Sequence, residues 1–388
     1  MEWQSAYYQV PHDFSAYPFS YPQLSQLVKV TPFLSGETTR LMMTNHYGKA
    51  PLTFERVAIA NQPTMAGATE VGAVTIQPGQ TLATTPVDFQ VEAGRPVYVL
   101  MVAERPQTYY DYTCTFEPSW VNAGVARQAG KVPRLNDRWR VRKSWFSFAG
   151  LETQPTQPAT VVNLTGDSLV ETGMLAAGLF TLSQRDFPNS VTWRMTGISG
   201  NRLALAAPTN QLPEKTFGPA LVDRLADLVT VSAKLTVASI GGNDLLLPVD
   251  NPGGDEPIPS VESLVQAFTN LKSGLAAHGQ ELIVPTLAPL RLAGEPTLFQ
   301  PGEKEVDQKR RTLNQWLGSQ PWVVDTAPQL TAPHATVLAP ENDFGDHLHL
   351  SPTGGRHLAE LLWPRIKGAL MKHGYARITI LFEGCRDQ

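Results

Sequence analysis

Cysteine is scarce: the 388 residues contain two, Cys114 and Cys385. They lie in different regions, so neither a disulfide framework nor a cysteine-based zinc site is supported. A basic excess is missing too, since 31 Lys and Arg against 35 Asp and Glu leave a formal net charge of -4. No basic run has the form of a nucleic-acid-binding arm, and neither nucleic acid nor an anionic membrane surface is expected as a partner. Long apolar runs are also absent. The most apolar window, GMLAAGLFTL at 173 to 182, is far too short to cross a bilayer, so no membrane span is expected. The opening residues, MEWQSAYYQVPHDFSAYPFS, lack the basic end, apolar stretch and small-residue cleavage site of a secretory signal. They point to a cytoplasmic protein, or to a mature form whose signal has been removed.

What is present is the composition of an ordinary soluble globular protein, 42% hydrophobic and 17% charged, in a chain long enough for two cores. Residues 28 to about 150 read as short apolar runs (VKVTPFL, TRLMMTN, LTFERVAIA, GAVTIQ, PVYVLMVAE) parted by turn residues such as NHYGKAP and EAGRP. That spacing predicts an antiparallel β-sandwich or jelly-roll over residues 1–155. The segment LETQPTQPAT at 151 to 160 has no apolar period and marks the boundary.

Beyond it, the strand-like runs ATVVNLT, SVTWRMT, KLTVASI, ELIVPTLA and PWVVDT alternate with helical patterns such as SVESLVQAFTNLKSGLAAHG and GEKEVDQKRRTLNQWLGS. Alternation of this kind predicts a second domain, residues 156–375, built as a three-layer α/β fold with a doubly wound, flavodoxin-like parallel sheet. Residues 376–388, ARITILFEGCRDQ, read as a strand and a polar tail. In a doubly wound sheet, functional groups gather at the carboxyl ends of the strands. The first strand delivers Gly166-Asp167-Ser168, the second Gly200 and Asn201, and the third Gly241-Gly242-Asn243-Asp244. After the fifth comes GDHLHLSPTGG, with Asp346 and His349 ahead of a helix that Ser351 and Pro352 would start well.

A nucleophilic serine needs a base, and the base needs a group that fixes its tautomer. Ser168, His349 and Asp346 match those roles, because a three-residue step lets one short loop present both Asp346 and His349. The oxyanion of acyl transfer needs donors in place beforehand. The backbone N–H groups of Ser168 and Gly200 and the side-chain amide of Asn243 would supply them. Such chemistry requires no metal or organic cofactor.

These blocks, GDSL around Ser168, GISGN around Gly200, GGND around Asn243 and DHLH from Asp346 to His349, resemble the SGNH (GDSL) hydrolase family. The resemblance covers about residues 158 to 372. The first half resembles the β-domain that precedes the catalytic domain in bacterial members similar to xylan-associated acetylesterases and arylesterases. The resemblance implies a carboxylic-ester hydrolase acting on short acyl groups, with sugar esters among the candidate substrates. The chain departs from the family pattern at LTG before Asp167 and at Val170, where threonine is usual; both changes are expected to alter helix packing and not the chemistry.

Other roles compete for the same residues. Ser168 taken alone could be a helix cap. Ser199 lacks the second glycine of a G-x-S-x-G elbow. His347 has Phe344 three residues before it, where His349 has Asp346, so His347 is expected as a loop histidine or pocket wall, and His357 as a packing residue. Asp167 and Asp244 are expected to hold their turns. Asn201, Arg202, Asp167, Asp244 and His347 remain candidates for the substrate pocket, with salt-bridging the plainer role for Arg202. The loops after Gly200 and Asp244 are expected to form its walls. The histidines of HLH lack a third ligand for a metal. An acyltransferase would share every one of these residues; a glycan-binding protein with a silent hydrolase domain would need none of the chemistry.

Overall fold

The computed structural model describes residues 2–208, 212–229, 233–250, 256–292, 299–333 and 336–372. Each of the five strand-like runs of the second half forms a strand. Nine strands form the central sheet: β1 (Gln4–Gln9), β2 (Thr39–Asn45), β3 (Gln80–Ala83), β4 (Phe148–Thr153), β5 (Thr160–Gly166), β6 (Val191–Gly197), β7 (Leu235–Ser239), β8 (Glu281–Pro285) and β9 (Val323–Val324). They lie in the order β9-β8-β7-β5-β6-β1-β4-β2-β3. Pairing is parallel from β9 to β1 and antiparallel from β1 to β3. The chain runs from β5 to β6 on one side and returns to β7 on the other, so the strand order reverses at β5, where a doubly wound sheet opens its crevice.

Period-2 alternation gives this sheet two apolar faces. Leu235 and Val237 of β7 and Ile283 of β8 pack with α2 (Met174–Asp186) and the last helix, Pro352–Lys372, through Leu175, Leu179, Leu362 and Ile366. Ala238, Leu282 and Val284 point the other way, onto Leu264, Phe268 and Leu271 of Val261–Ala277 and Val306, Leu313 and Leu317 of Glu303–Gly318. Helix, sheet and helix thus make the three layers expected. The segment after Asp244, expected as a loop, continues as far as Asp250 in a helix over Gly242–Asp250 that carries Pro248.

The first half adds a five-stranded antiparallel sheet, ordered Val121–Ala126, Leu24–Val30, Val97–Ala103, Leu52–Ala60, Thr69–Ile76. Val28, Val99 and Met101 from it share one cluster with Leu41 and Met43 of β2 and Leu151 of β4. Its opposite face, with Leu27, Leu100 and Val102, is covered by Ala129, Val132 and Leu135.

The division expected between residues 155 and 156 does not divide the sheet. Strand β1 pairs in parallel with β6 and antiparallel with β4, so the β-rich half shares strands with the α/β sheet. The physical reason is edge protection: β6 would expose a row of unpaired backbone groups, and β1 covers it. Residues 376–388, expected as a strand and tail, lie outside the described residues.

Candidate active site

Strand β5 ends at Gly166, whose φ of +147° suits glycine; a Cβ there would stand 1.9 Å from the Ser239 carbonyl oxygen. The close approach brings the ends of β5 and β7 together. Asp167 follows and caps the short helix α1 (Ser168–Glu171), its Oδ1 accepting from Leu169 N at 2.9 Å. Burial, opposed by that N–H and by the charge of His349, raises the Asp167 carboxyl to about 7. Asp167 holds the turn as expected, and it also lines the small cavity beside Ser168.

Ser168 Oγ lies 2.8 Å from His349 Nε2, and His349 Nδ1 lies 2.7 Å from Asp346 Oδ2. With Nδ1–H donating to the carboxylate, Nε2 is the ring acceptor and takes the serine O–H. The other carboxylate oxygen of Asp346 accepts from the backbone N–H of Leu348 at 3.1 Å and of His349 at 2.8 Å. Burial pushes this carboxyl up, but the bond to His349, its charge and the two N–H groups outweigh that and bring it down to about 2. The chain then enters the last helix as expected, Ser351 Oγ accepting from Gly354 N at 3.0 Å.

His347 takes a different partner. Its Nδ1 lies 2.7 Å from Asp343 Oδ2, its N–H donates to Asp343 Oδ1 at 3.0 Å, and its φ is +62°. It is a loop histidine, away from the Ser168 relay. His357 sits beside Asn342, 3.3 Å from Nδ1 to Oδ1.

Gly200 has a φ of +75°, and a Cβ on it would meet the Phe217 ring at 2.2 Å. Asn243 is buried and spends one amide N–H on the Asn201 carbonyl at 3.1 Å, leaving the second as a donor. Ser168, Gly200 and Asn243 thus stand at the ends of β5, β6 and β7, on both sides of the switch point.

Three of the pocket candidates are structural. Asn201 donates to the carbonyls of Phe217 and Pro219, both at 2.8 Å, and accepts from Arg224 Nη2 at 2.9 Å; its amide is fully used. Arg202 is buried, paired with Glu256 at 2.8 Å and bonded to the Ala206 carbonyl, because a buried guanidinium needs a carboxylate more than a surface one does. Asp244 anchors the strand-end loop by accepting from Leu203 N at 2.7 Å and Ala204 N at 2.8 Å; burial, against those bonds, raises it to about 6.

The sequence reading missed Glu171. Its side chain is buried, and one oxygen accepts from both the N–H of Ser199, at 3.0 Å, and the Ser199 hydroxyl. The other meets Cys114 Sγ at 3.1 Å and His12 Nε2 at 3.1 Å. Its only sequence signal was an acidic residue one helical turn after Ser168. Burial, then the Glu171 charge, pushes the Cys114 thiol up, which disfavours the reactive thiolate. Phe344 was missed as well. Its ring stands between Trp139, at 5.2 Å, and His349, at 6.5 Å, and Arg140 Nη2 donates to its carbonyl at 2.9 Å.

Among the described residues no group of three or more His, Cys, Asp or Glu is placed to hold a metal ion, and no helix is long and apolar enough to cross a membrane. No protein-family model matches the chain, and no curated protein matches it. Among solved structures, it is similar to the acetyl xylan esterase AlAXEase, at 14% identity over 53% of this chain and 99% of that one, TM-score 0.40. It is similar to Axe2, an acetylxylan esterase from Geobacillus stearothermophilus, at 20% identity over 53% and 94%, TM-score 0.39. It is also similar to an aryl esterase of M. smegmatis, at 14% identity over 54% and 100%, TM-score 0.39.

Proposed function

We propose that the protein is a serine carboxylic-ester hydrolase working through an acyl-enzyme on short-chain acyl esters. The observation that carries this reading is the unbroken relay from Ser168 Oγ to His349 Nε2, at 2.8 Å, and from His349 Nδ1 to Asp346 Oδ2, at 2.7 Å. In the first step Ser168 Oγ bonds to the ester carbonyl carbon and its proton passes to Nε2. Asp346, ionised across the working range, stabilises the imidazolium. The N–H groups of Ser168 and Gly200 and the free amide N–H of Asn243 receive the oxyanion. The C–O bond then breaks, the alcohol leaves with the proton from Nε2, and water repeats both transfers to release the acid and restore Ser168.

The cavity on the β7 side of Ser168 limits the size of the acyl group. It holds about 30 Å³ and is walled by Leu287, Leu290 and Leu348 with Asn243, which suits an acetyl group and crowds longer chains. A phosphonofluoridate label tests the reading. Mass spectrometry is expected to find a single adduct on Ser168, absent from the Ser168→Ala variant; labelling elsewhere, or none, would overturn it.

A further inference from the structure

On the other side of Ser168, past β6, lies a second cavity of about 540 Å³ between the two halves of the chain. It is large enough for a ring-bearing ligand, whereas the one beside Asn243 is not. Its wall includes Ser199, next to Gly200, and Phe116, whose ring is 5.8 Å from that of Phe344, itself 6.5 Å from His349. Ser199 and Phe116 are thus what link this cavity to the Ser168 relay, and the leaving alcohol is assigned to it. This placement rests on the ester-hydrolase reading.

The lining is aromatic. Phe14 and Phe19 meet Tyr112 at 4.2 and 5.4 Å, the second pair stacked, and Phe217 closes the side nearest Gly200. The charge in it is asymmetric. Glu171 lies on the floor, but its oxygens are occupied by Ser199, Cys114 and His12. Arg142 is exposed as a residue, and its guanidinium stands over Phe116, 5.3 Å from the ring centre, bonded to Tyr112 and facing the Glu171 charge, which leaves its other N–H groups for an incoming group. Aromatic walls favour a flat π face, and an available guanidinium favours a carboxylate.

We infer that this cavity is a specificity site for the alcohol part of the ester, and that it takes an aromatic ring bearing a carboxylate. Equilibrium dialysis of the full chain against 4-hydroxybenzoate, phenol and glucuronate tests it without needing turnover. 4-Hydroxybenzoate is expected to bind wild type and Ser168→Ala alike, and Arg142→Ala about tenfold more weakly. Phenol should bind the wild type about as weakly as 4-hydroxybenzoate binds Arg142→Ala. Undetectable binding of 4-hydroxybenzoate, unchanged binding by Arg142→Ala, or glucuronate binding as well as 4-hydroxybenzoate would each overturn the inference. A wild type that binds but hydrolyses nothing would instead count against the ester-hydrolase reading, so the two failures are distinguishable.

Discussion

Glu171 accepts the backbone N–H of Ser199 at 3.0 Å, tying the helix that starts at Ser168 to the residue before Gly200. The nucleophile candidate and the oxyanion candidate are thus held by one buried carboxylate, which His12 and Cys114 hold from the β-rich half. Glu171→Gln keeps the shape and removes the charge. It is expected to lower kcat for nitrophenyl acetate by roughly 10- to 100-fold with KM little changed, since small misplacements of reacting groups cost that much. Urea unfolding should show a loss of about 2 kcal/mol, the scale of charge-assisted hydrogen bonds. A rise in KM with kcat unchanged would contradict the positioning role.

The two histidines of the HLH segment separate by partner. His349 shares Asp346 with the Ser168 relay, whereas His347 bonds Asp343. His349→Ala is expected to lose about a thousandfold or more in kcat. His347→Asn, a residue that tolerates a positive φ, should keep kcat within about threefold and cost about 1 kcal/mol, the scale of one partly buried side-chain hydrogen bond. Steady-state rates of both variants check the assignment.

Buried Asp167 gives a pH signature. Its carboxyl is raised to about 7 against about 3.9 in an unfolded chain, so the folded state holds a proton that the unfolded state has released. The stability linked to this group is full below about pH 4 and is lost as pH rises through 7. Asp167→Asn keeps the acceptor for Leu169 N and removes the titration. Thermal unfolding should show the variant gaining on the wild type at pH 8 relative to pH 5; a constant difference would contradict it. Asp346 works in the opposite sense: held down at about 2, it contributes stability above about pH 4 that is lost as pH falls through 2.

The shared sheet makes the second half dependent on the first. A fragment starting at residue 156 lacks β1, exposing the edge of β6, and lacks Phe33 and Trp120, which pack on Phe180 of α2 at 4.7 and 5.5 Å. It is expected to lose fixed near-ultraviolet circular dichroism and to aggregate on size-exclusion chromatography. A monomeric fragment with native-like ellipticity would show that the second half folds alone.

Much of this was legible in the residues. The runs that became β5 to β9 carry β-branched and apolar residues in lengths a buried parallel strand requires, and glycine, serine or asparagine marks each functional strand end. The contact between Asp346 and His349 was legible because a three-residue step lies within one loop, whereas the approach of Ser168, 181 residues away, came only from placing both at strand ends. What spacing does not encode is lateral placement. QSAYYQ of β1 gives no sign of which strands it will join. The partners of buried polar groups were equally hidden: Arg202 next to a site motif looks available until Glu256, 54 residues away, closes on it. Glu171, His12 and Cys114 meet only in three dimensions.

The most direct test of the account compares nitrophenyl acetate hydrolysis by the purified protein with that of its Ser168→Ala variant, with matching circular dichroism spectra as the control for folding. The account predicts a clear rate for the wild type and a loss of about a thousandfold or more in the variant. An equal rate in both would contradict it, and would leave Ser168 as nothing more than the first residue of a helix.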